Sequence, residues 1–267
     1  MLKQKVALVT GGSAGIGLAV ARQLSAHGTR VALAARSEKR LRAAAQEVGG
    51  EAFVCDMKDL PSVSALPAKV VERMGALDIV VNNAGLHHRG SLVSIEPLAL
   101  ADMITVNLAA PAVLCRAAVP ILRKPGSIVN VASLAGMVPM PLQVTYGASK
   151  AGLRAFSGAL REELAASGIT VSLVSPGPVD TGFFGAELER VADVAFSQPM
   201  STAEQVANAV VRCIEEGTSE IALPWLSGKL CTLGYLSPAL TRLLRPALEK
   251  RGARNKRAYL RRKRAVH

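Results

Sequence analysis

The sequence predicts an α/β protein with a single domain, a doubly wound parallel sheet of about seven strands and helices on both faces. Short runs rich in Val, Ile and Leu alternate with longer segments in which apolar residues recur at helical spacing. Runs such as residues 79–81 and 171–174 are almost continuously apolar, as expected of strands that helices cover on both faces. With 267 residues, half of them hydrophobic, the chain can fill one large Rossmann-like domain.

The alternation of strand and helix patterns can be followed along the chain. The predicted strands cover residues 5–9, 30–34, 52–55, 77–81, 127–131, 170–174 and 220–223. The predicted helices cover residues 18–24, 38–47, 61–74, 98–122, 144–166 and 203–216. We expect residues 1–228 to form this domain and residues 229–267 to form a C-terminal extension that is first apolar and then basic.

The net charge of +12 is concentrated near the C-terminus. Residues 245–267 contain ten Lys and Arg residues and one acidic residue, Glu249, so the rest of the chain is close to neutral. The high hydrophobic content excludes an intrinsically disordered chain.

The cysteines indicate a reducing compartment. The four of them, at positions 55, 115, 213 and 231, form no CxxC pair and have no histidine nearby, so neither a metal site nor a disulfide framework is predicted. The apolar run at residues 6–9 is too short for a signal peptide, and we expect no membrane-spanning helix, which needs about 18 to 20 apolar residues. A cytoplasmic location follows as the expectation.

A glycine-rich turn between the first strand and the first helix predicts a dinucleotide site. Gly11 permits a tight turn, Gly15 lets the backbone approach a pyrophosphate, and Gly17 allows close packing of the helix. Ser13 and Ile16 lie in the same turn, at a helix N-terminus whose dipole attracts anions. A glycine cluster alone is also typical of a plain βα turn, but its position after the first strand favours the dinucleotide.

Arg36, at the end of the second strand, predicts a preference for NADP(H). A carboxylate at this place usually binds the ribose 2′-hydroxyl of NAD, whereas an arginine accommodates the 2′-phosphate of NADP. The sequence has Ala35 and then Arg36, so the carboxylate is missing. The alternative is an exposed arginine that only precedes the next helix.

Polar and small residues follow the third and fourth strands, at the sheet edge where ligands of such folds bind. They are Asp56 and the group Asn83, Ala84 and Gly85. On composition alone, Asp56 is equally a turn residue and the asparagine a loop former.

Tyr146 and Lys150 are the clearest candidates for chemistry. They are four residues apart in a predicted helix and therefore share one face. A tyrosine with a pKa of about 10 is a poor base at neutral pH, but a neighbouring ammonium and an oxidised nicotinamide ring favour the phenolate. Such tuning makes Tyr146 a candidate general acid/base. The same spacing is also typical of an ordinary helix surface. Ser133 lies thirteen residues before Tyr146, and Asn107 lies on the preceding helix.

Together these motifs resemble the short-chain dehydrogenase/reductase family from residue 5 to about residue 223. The glycine spacing TGxxxGxG, the YxxxK pair and the preceding serine occur in that family's order. The resemblance implies that Tyr146 exchanges a proton with the carbonyl or hydroxyl oxygen, to which Ser133 hydrogen-bonds. It also implies that Lys150 binds the nicotinamide ribose and lowers the pKa of Tyr146, and that Asn107 holds a water that relays protons to Lys150.

The resemblance further implies how the cofactor is held. Asp56 would bind the adenine, and Asn83, Ala84 and Gly85 would line the adenine-ribose side. Residues 175–181 match the family's PG turn, in which the cofactor-binding positions are Pro176, Gly177, Val179 and Thr181. Val179 and Thr181 would contact the nicotinamide.

The expected function is an NADP(H)-dependent oxidoreductase that interconverts a small hydrophobic ketone and a secondary alcohol by hydride transfer. We expect a homo-oligomer. The alternative is a non-catalytic protein that senses NADP(H), against which the complete set of four candidate catalytic residues argues. His87 and His88 are interpreted as ordinary loop residues, because neither belongs to the family's set.

The substrate specificity is expected to reside in residues 182–199. Their apolar residues predict a lid over a hydrophobic substrate, although a helix that buries its own apolar stripe explains them equally. These residues are Phe183, Phe184, Leu188, Val191, Val194 and Phe196.

The C-terminal extension predicts attachment to an anionic membrane surface, because an apolar segment at residues 230–244 precedes the basic run. The alternatives are a dimer-packing helix with a solvated basic end, docking of an acidic carrier protein, and nucleic-acid binding. The last is disfavoured because Tyr259 is the only aromatic residue available for base stacking in the basic run. Deletion of residues 245–267 is expected to leave turnover unchanged, since every candidate site residue lies at or before Thr181.

Overall fold

The computed structural model describes residues 2–181 and 191–265. Within them the strands are β1 (Val6–Thr10), β2 (Arg30–Ala35), β3 (Glu51–Val54), β4 (Ile79–Asn82), β5 (Gly126–Val131), β6 (Ile169–Pro176) and β7 (Glu220–Leu223). They form one sheet in the order β3-β2-β1-β4-β5-β6-β7, and every pair is parallel. This confirms the predicted fold class.

The helices follow the predicted alternation. They are α1 (Gly15–Ala26), α2 (Glu38–Val48), α3 (Leu60–Met74), α4 (Pro97–Ile104), α5 (Ala110–Ala118), α6 (Val144–Glu163), α7 (Ala203–Glu216), α8 (Trp225–Leu236) and α9 (Pro238–Ala265). Local signals account for several ends: the Asp59 carboxylate caps α3, and Thr202 and Gln205 form a capping box at the start of α7. The π-helical segment Thr105–Ala109 joins α4 to α5 without a break.

Apolar side chains alternate between the two faces of the sheet. Val9 and Leu33 pack toward α1, α2 and α7, whereas Leu8 and Ala34 pack toward α3 and α5. All four are fully buried, which explains why the strand sequences are apolar throughout.

The strand order reverses next to β1. The chain first winds outward through β2 to β3 and then returns to form β4 on the other side of β1. This reversal opens a crevice at the carboxyl ends of β1 and β4, the place where open α/β sheets bind their ligands.

Within the described residues, one helical rod, formed by α4, the π-helical segment and α5, meets the length and composition of a membrane-spanning helix. It comprises residues Pro97–Ala118. In the structure, however, Met103, Val106 and Leu114 of this rod are buried. The rod therefore serves as a helix of the domain.

The C-terminal residues also depart from the expectation of an extension. The boundary expected at residue 228 falls inside α8. Helix α9 returns to the domain and packs along the short 3₁₀ turn Asp193–Ser197. This contact requires glycine at position 252, because a Cβ there would lie 1.9 Å from the Asp193 carbonyl oxygen and clash with it.

Candidate active site

The glycine turn after β1 adopts a shape that larger residues cannot. Gly11 and Gly15 have φ of +66° and +54°. A Cβ on Gly17 would lie 2.3 Å from the Gly11 carbonyl oxygen, so the start of α1 fits only with glycine there. Ser13 and Ile16, between these glycines, are half-buried.

Asn83 and Ala84 hold the turn from β4. The Asn83 side chain donates to the Thr10 carbonyl at 2.9 Å, and the backbone N–H groups of Asn83 and Ala84 both donate to Thr10 Oγ1 at 3.1 Å. The structure therefore makes Asn83 a brace of the glycine turn, a role more specific than lining one side of a cofactor.

The residues around this turn fit a phosphorylated dinucleotide. Among the described residues no side chain caps the N-terminus of α1, and its first turn carries no acidic residue, so its N–H groups and positive dipole end can receive an anion. Arg36 is exposed and forms no ion pair with any residue that the structure describes. Asp56 is half-buried at the end of β3, where it accepts a hydrogen bond from the Lys58 N–H at 3.0 Å.

Lys150 is buried at the far end of the crevice. Its ammonium donates to the Val131 carbonyl at 2.9 Å and lies 6.0 Å from the centre of the Tyr146 ring. A Cβ on Gly85 would lie 3.7 Å from Lys150 Nζ, so the loop after β4 ends beside the amine. Burial lowers the pKa of Lys150 to about 8.

Tyr146 lies one turn before Lys150 on α6 and is half-buried. Burial raises the pKa of its phenol, and this effect is opposed by a hydrogen bond from Ser133 and by the positive charge of Arg89. Ser133 accepts a hydrogen bond from the Ala135 N–H at 3.1 Å, which leaves its hydroxyl proton to donate. The phenol is therefore protonated at neutral pH and suited to donate a proton.

Asn107 lies in the π-helical segment and is buried. Its side chain accepts from the Leu86 N–H at 2.8 Å and donates to the Leu86 carbonyl and to Ser149 Oγ, at 2.9 and 3.0 Å. The side-chain amide thus ties the loop after Gly85 to helix α6, which is a positioning role.

His87 contacts the site, contrary to its interpretation as an ordinary loop residue. Its ring stacks on that of Tyr146, with centroids 3.9 Å apart and an angle of 10° between the planes. Burial and the nearby charges of Arg89, His88 and Lys150 lower the pKa of His87 to about 3, so the stacked imidazole is neutral. Its position two residues after Gly85 was the only sequence signal.

The PG turn completes the crevice. Pro176 ends β6, the Gly177 N–H donates to the Leu223 carbonyl at 2.7 Å, and Val179 pairs with Ser201. Thr181 lies against the glycine turn, since a Cβ on Gly15 would be 3.6 Å from its side chain. The structure thus brings the first and the last predicted cofactor-binding segments together.

Helix α9 reaches this same turn, which the sequence did not indicate. The Tyr259 hydroxyl donates to Asp180 Oδ1 at 2.5 Å, and Lys256 Nζ donates to the Val191 carbonyl at 2.7 Å. Asn255 donates to the Phe196 carbonyl at 2.9 Å. The basic C-terminal segment is therefore part of the domain, and the expectation that its deletion leaves turnover unchanged has lost its basis.

Three of the six residues of the predicted apolar lid lie within the described part of the chain. Phe183, Phe184 and Leu188 lie outside the described residues. Val191 and Phe196 are buried, and the Phe196 ring lies 5.9 Å from that of Tyr259. The Phe196 ring thus packs against α9, and Val194 is half-buried.

A family comparison matches most of the chain. The family described as short chain dehydrogenase matches residues 5–192. Helices α8 and α9 lie beyond the matched residues.

Individual relatives and solved structures are similar over a larger part of the chain. A Streptomyces violaceoruber protein, described as a candidate ketoacyl reductase of the granaticin polyketide synthase, is 39% identical over 77% of this chain and 79% of its own length. The ketoacyl reductase HetN of Nostoc sp. is 33% identical over 89% of this chain and 86% of its own length. The crystal structure of a short chain dehydrogenase from Burkholderia cenocepacia in complex with NADP is 35% identical and covers 83% of this chain and 96% of its own, with a TM-score of 0.75.

Proposed function

The chain belongs to the short-chain dehydrogenase/reductase family, and from this premise we propose that it is an NADP(H)-dependent oxidoreductase that interconverts a hydrophobic ketone and a secondary alcohol. One observation carries the proposal. A protonated tyrosine, a serine free to donate and a buried lysine converge at the carboxyl end of the sheet, beside a crevice that fits a dinucleotide phosphate.

The cofactor would be held along the carboxyl ends of β1 to β6. The glycine turn and the N-terminus of α1 would receive the pyrophosphate, and Arg36 would pair with the 2′-phosphate. Gly85, Lys150 and Thr181 would line the nicotinamide end. When bound, NADPH supplies the hydride for the carbonyl carbon.

Tyr146 would supply the proton. In the reducing direction its phenol donates to the carbonyl oxygen, while the Ser133 hydroxyl donates a hydrogen bond to the same oxygen. The Lys150 ammonium stabilises the phenolate left behind. In the oxidising direction the phenolate takes the alcohol proton, and the same charge favours it.

His87 and Asn107 would position these groups. The neutral imidazole of His87 covers one face of the Tyr146 ring without adding a second cation beside Lys150. Asn107 fixes the loop that carries His87 through its two hydrogen bonds to Leu86. Both residues therefore act through Tyr146.

The first substrate candidates are 3-oxoacyl thioesters, because two of the relatives are described as ketoacyl reductases. The test is a screen of 3-oxoacyl thioesters, steroids, retinoids and simple ketones, with NADPH oxidation as the readout. Turnover of a carbonyl compound supports the proposal. Tight NADPH binding with no turnover of any of these would favour the non-catalytic sensor.

We also propose that the protein assembles with copies of itself in the cytoplasm. Leu98 and Ile104 of α4 are exposed. Only 33% of the most apolar 18-residue stretch of Pro97–Ala118 is buried within one chain. A second copy packed on this rod would cover it. Light scattering should then give a dimer or a larger assembly, which Leu98→Asp should weaken.

A further inference from the structure

Helix α8 presents its large apolar residues to solvent. Its inward side consists of small residues: Gly228 is buried, and Cys231 and Gly234 are half-buried. A Cβ on Gly228 would lie 2.4 Å from that of Ala222, so the helix packs closely on β7. The outward residues are 55% to 75% exposed, and they are Trp225, Leu226, Leu230, Leu233 and Leu236. A surface helix normally has the opposite arrangement, so this apolar face marks an interaction site.

Helix α9, which follows α8 in the chain, exposes a row of positive charge. Four exposed basic residues follow one another at spacings of four, three and four, which places them on one helix face. This cationic stripe consists of Lys250, Arg254, Arg257 and Arg261. The opposite face, with Gly252, Asn255 and Tyr259, is docked on the domain.

We propose that the outward face of α8 and the cationic stripe of α9 seat the protein on an anionic lipid surface. At a bilayer interface, leucine and tryptophan side chains insert between the lipids, and basic side chains are attracted to the anionic headgroups. Glu249 is the only acidic residue from 225 to 267, and it already pairs with Arg245 at 2.7 Å. A second copy on the same face would bring like charges together, whereas anionic headgroups neutralise them.

The surface borders the substrate side of the proposed active site. Helix α8 packs on the turn that follows Ser133, since a Cβ on Gly228 would lie 3.9 Å from Leu134 Cδ2. Two more apolar side chains are exposed between Ser133 and Tyr146: Leu142, just before α6, and Val144, the first residue of α6. Resting on the proposed function, this placement favours the steroids and retinoids of the screen, which dissolve in the bilayer, over the 3-oxoacyl thioesters as substrates that reach the site from the lipid side.

Flotation of the full-length protein with vesicles tests the attachment without any need for turnover. The vesicles contain phosphatidylcholine with or without about one third phosphatidylglycerol. We expect binding to the anionic vesicles at low salt that weakens as salt rises, because the headgroup attraction is screened. Leu230→Ser with Leu233→Ser should lower binding at least tenfold, since both side chains are more than half exposed and their loss spares the core.

Arg254→Gln with Arg257→Gln tests the charge. Each basic residue near an anionic surface changes affinity about fivefold, so the pair should lower binding roughly twenty-five-fold. Two matched controls should bind like the wild type. Val54→Ser removes an exposed valine on β3, the opposite edge strand, and Lys3→Gln with Lys124→Gln removes two exposed cations near the amino ends of β1 and β5.

The outcomes separate the attachment from the enzymatic proposal. No binding to anionic vesicles at low salt, or binding that both double variants leave unchanged, overturns the lipid surface. A change of oligomeric state in the leucine variant without vesicle binding assigns the face to a second copy and also overturns it. If the protein floats but reduces no carbonyl, the proposed function fails while the attachment stands. For an active enzyme, vesicles should raise kcat/KM for a bilayer-soluble ketone in the wild type and not in the leucine variant.

Discussion

Replacement of Lys150 by methionine should stabilise the protein at pH 7 while it removes activity. The Lys150 amine is buried, with 4% of its surface exposed, and burial lowers its pKa from 10.5 to about 8. Each pKa unit corresponds to about 1.4 kcal/mol, so the folded state disfavours the charged amine by roughly 3 kcal/mol. Loss of the hydrogen bond to the Val131 carbonyl offsets about 1 to 2 kcal/mol of the gain.

The pH dependence gives the sharper result. Between pH 8 and pH 10.5 the unfolded chain keeps the Lys150 proton while the folded protein has lost it, so the wild type gains stability as the pH rises through this window. The stability advantage of Lys150→Met should therefore shrink by about 2 kcal/mol between pH 7 and pH 10. Lys69→Met, at an exposed position on α3, should show no such change.

Urea unfolding of the cofactor-free proteins at pH 7, 8, 9 and 10 measures these differences. Two parallel curves for the wild type and Lys150→Met would refute the reasoning, because they would mean that the amine has the same pKa in the folded and unfolded states. An activity assay on the same samples should show loss of turnover at every pH.

Three further predictions concern Arg36, His87 and helix α9. Arg36→Asp should move the cofactor preference toward NAD(H) by about ten- to a hundredfold, since it removes a charge-assisted pair worth roughly 1.5 to 3 kcal/mol. An unchanged ratio of the kcat/KM values for NADPH and NADH would mean that another residue binds the 2′-phosphate. His87→Ala should lower kcat about three- to tenfold with little change in the KM for NADPH, because an aromatic pair contributes about 0.5 to 1.5 kcal/mol. His87→Phe should restore kcat, and failure to do so would contradict the stacking role. Deletion of residues 245–267 should lower the melting temperature and raise the KM for NADPH. Tyr259→Phe should raise the same KM more mildly, because it loses the hydrogen bond to Asp180. A wild-type KM in both variants and a wild-type melting temperature in the deletion variant would show that α9 is dispensable.

The sheet was predictable because its signals are local. Strands such as β4 and β5 are buried on both faces, so their sequences are continuously apolar. The glycine turn was predictable because Gly11 and Gly17 are required by the backbone itself. Helical spacing places Tyr146 and Lys150 on one face, but it was the order of the motifs, similar to that of the short-chain dehydrogenase/reductase family, that marked them as candidates.

The features that were missed depend on contacts between distant segments. The stacking of His87 on Tyr146 joins residues 59 positions apart, and the bond from Tyr259 to Asp180 spans 79 positions. No local pattern encodes either contact. The basic residues of 245–267 suggested an extension outside the domain, yet the glycine and polar residues between them form the inward face of α9. The π-helical turn that places Asn107 likewise has no distinctive composition.

Tyr146→Phe tests whether the Tyr146 phenol supplies the proton in the reductase reaction. The measurement is NADPH oxidation with a carbonyl substrate found in the screen, together with the Kd for NADPH. Loss of the phenol should lower kcat by about a thousandfold, while the Kd for NADPH stays within about twofold because the ring and its stacking on His87 remain. Turnover close to that of the wild type would mean that a group other than Tyr146 supplies the proton.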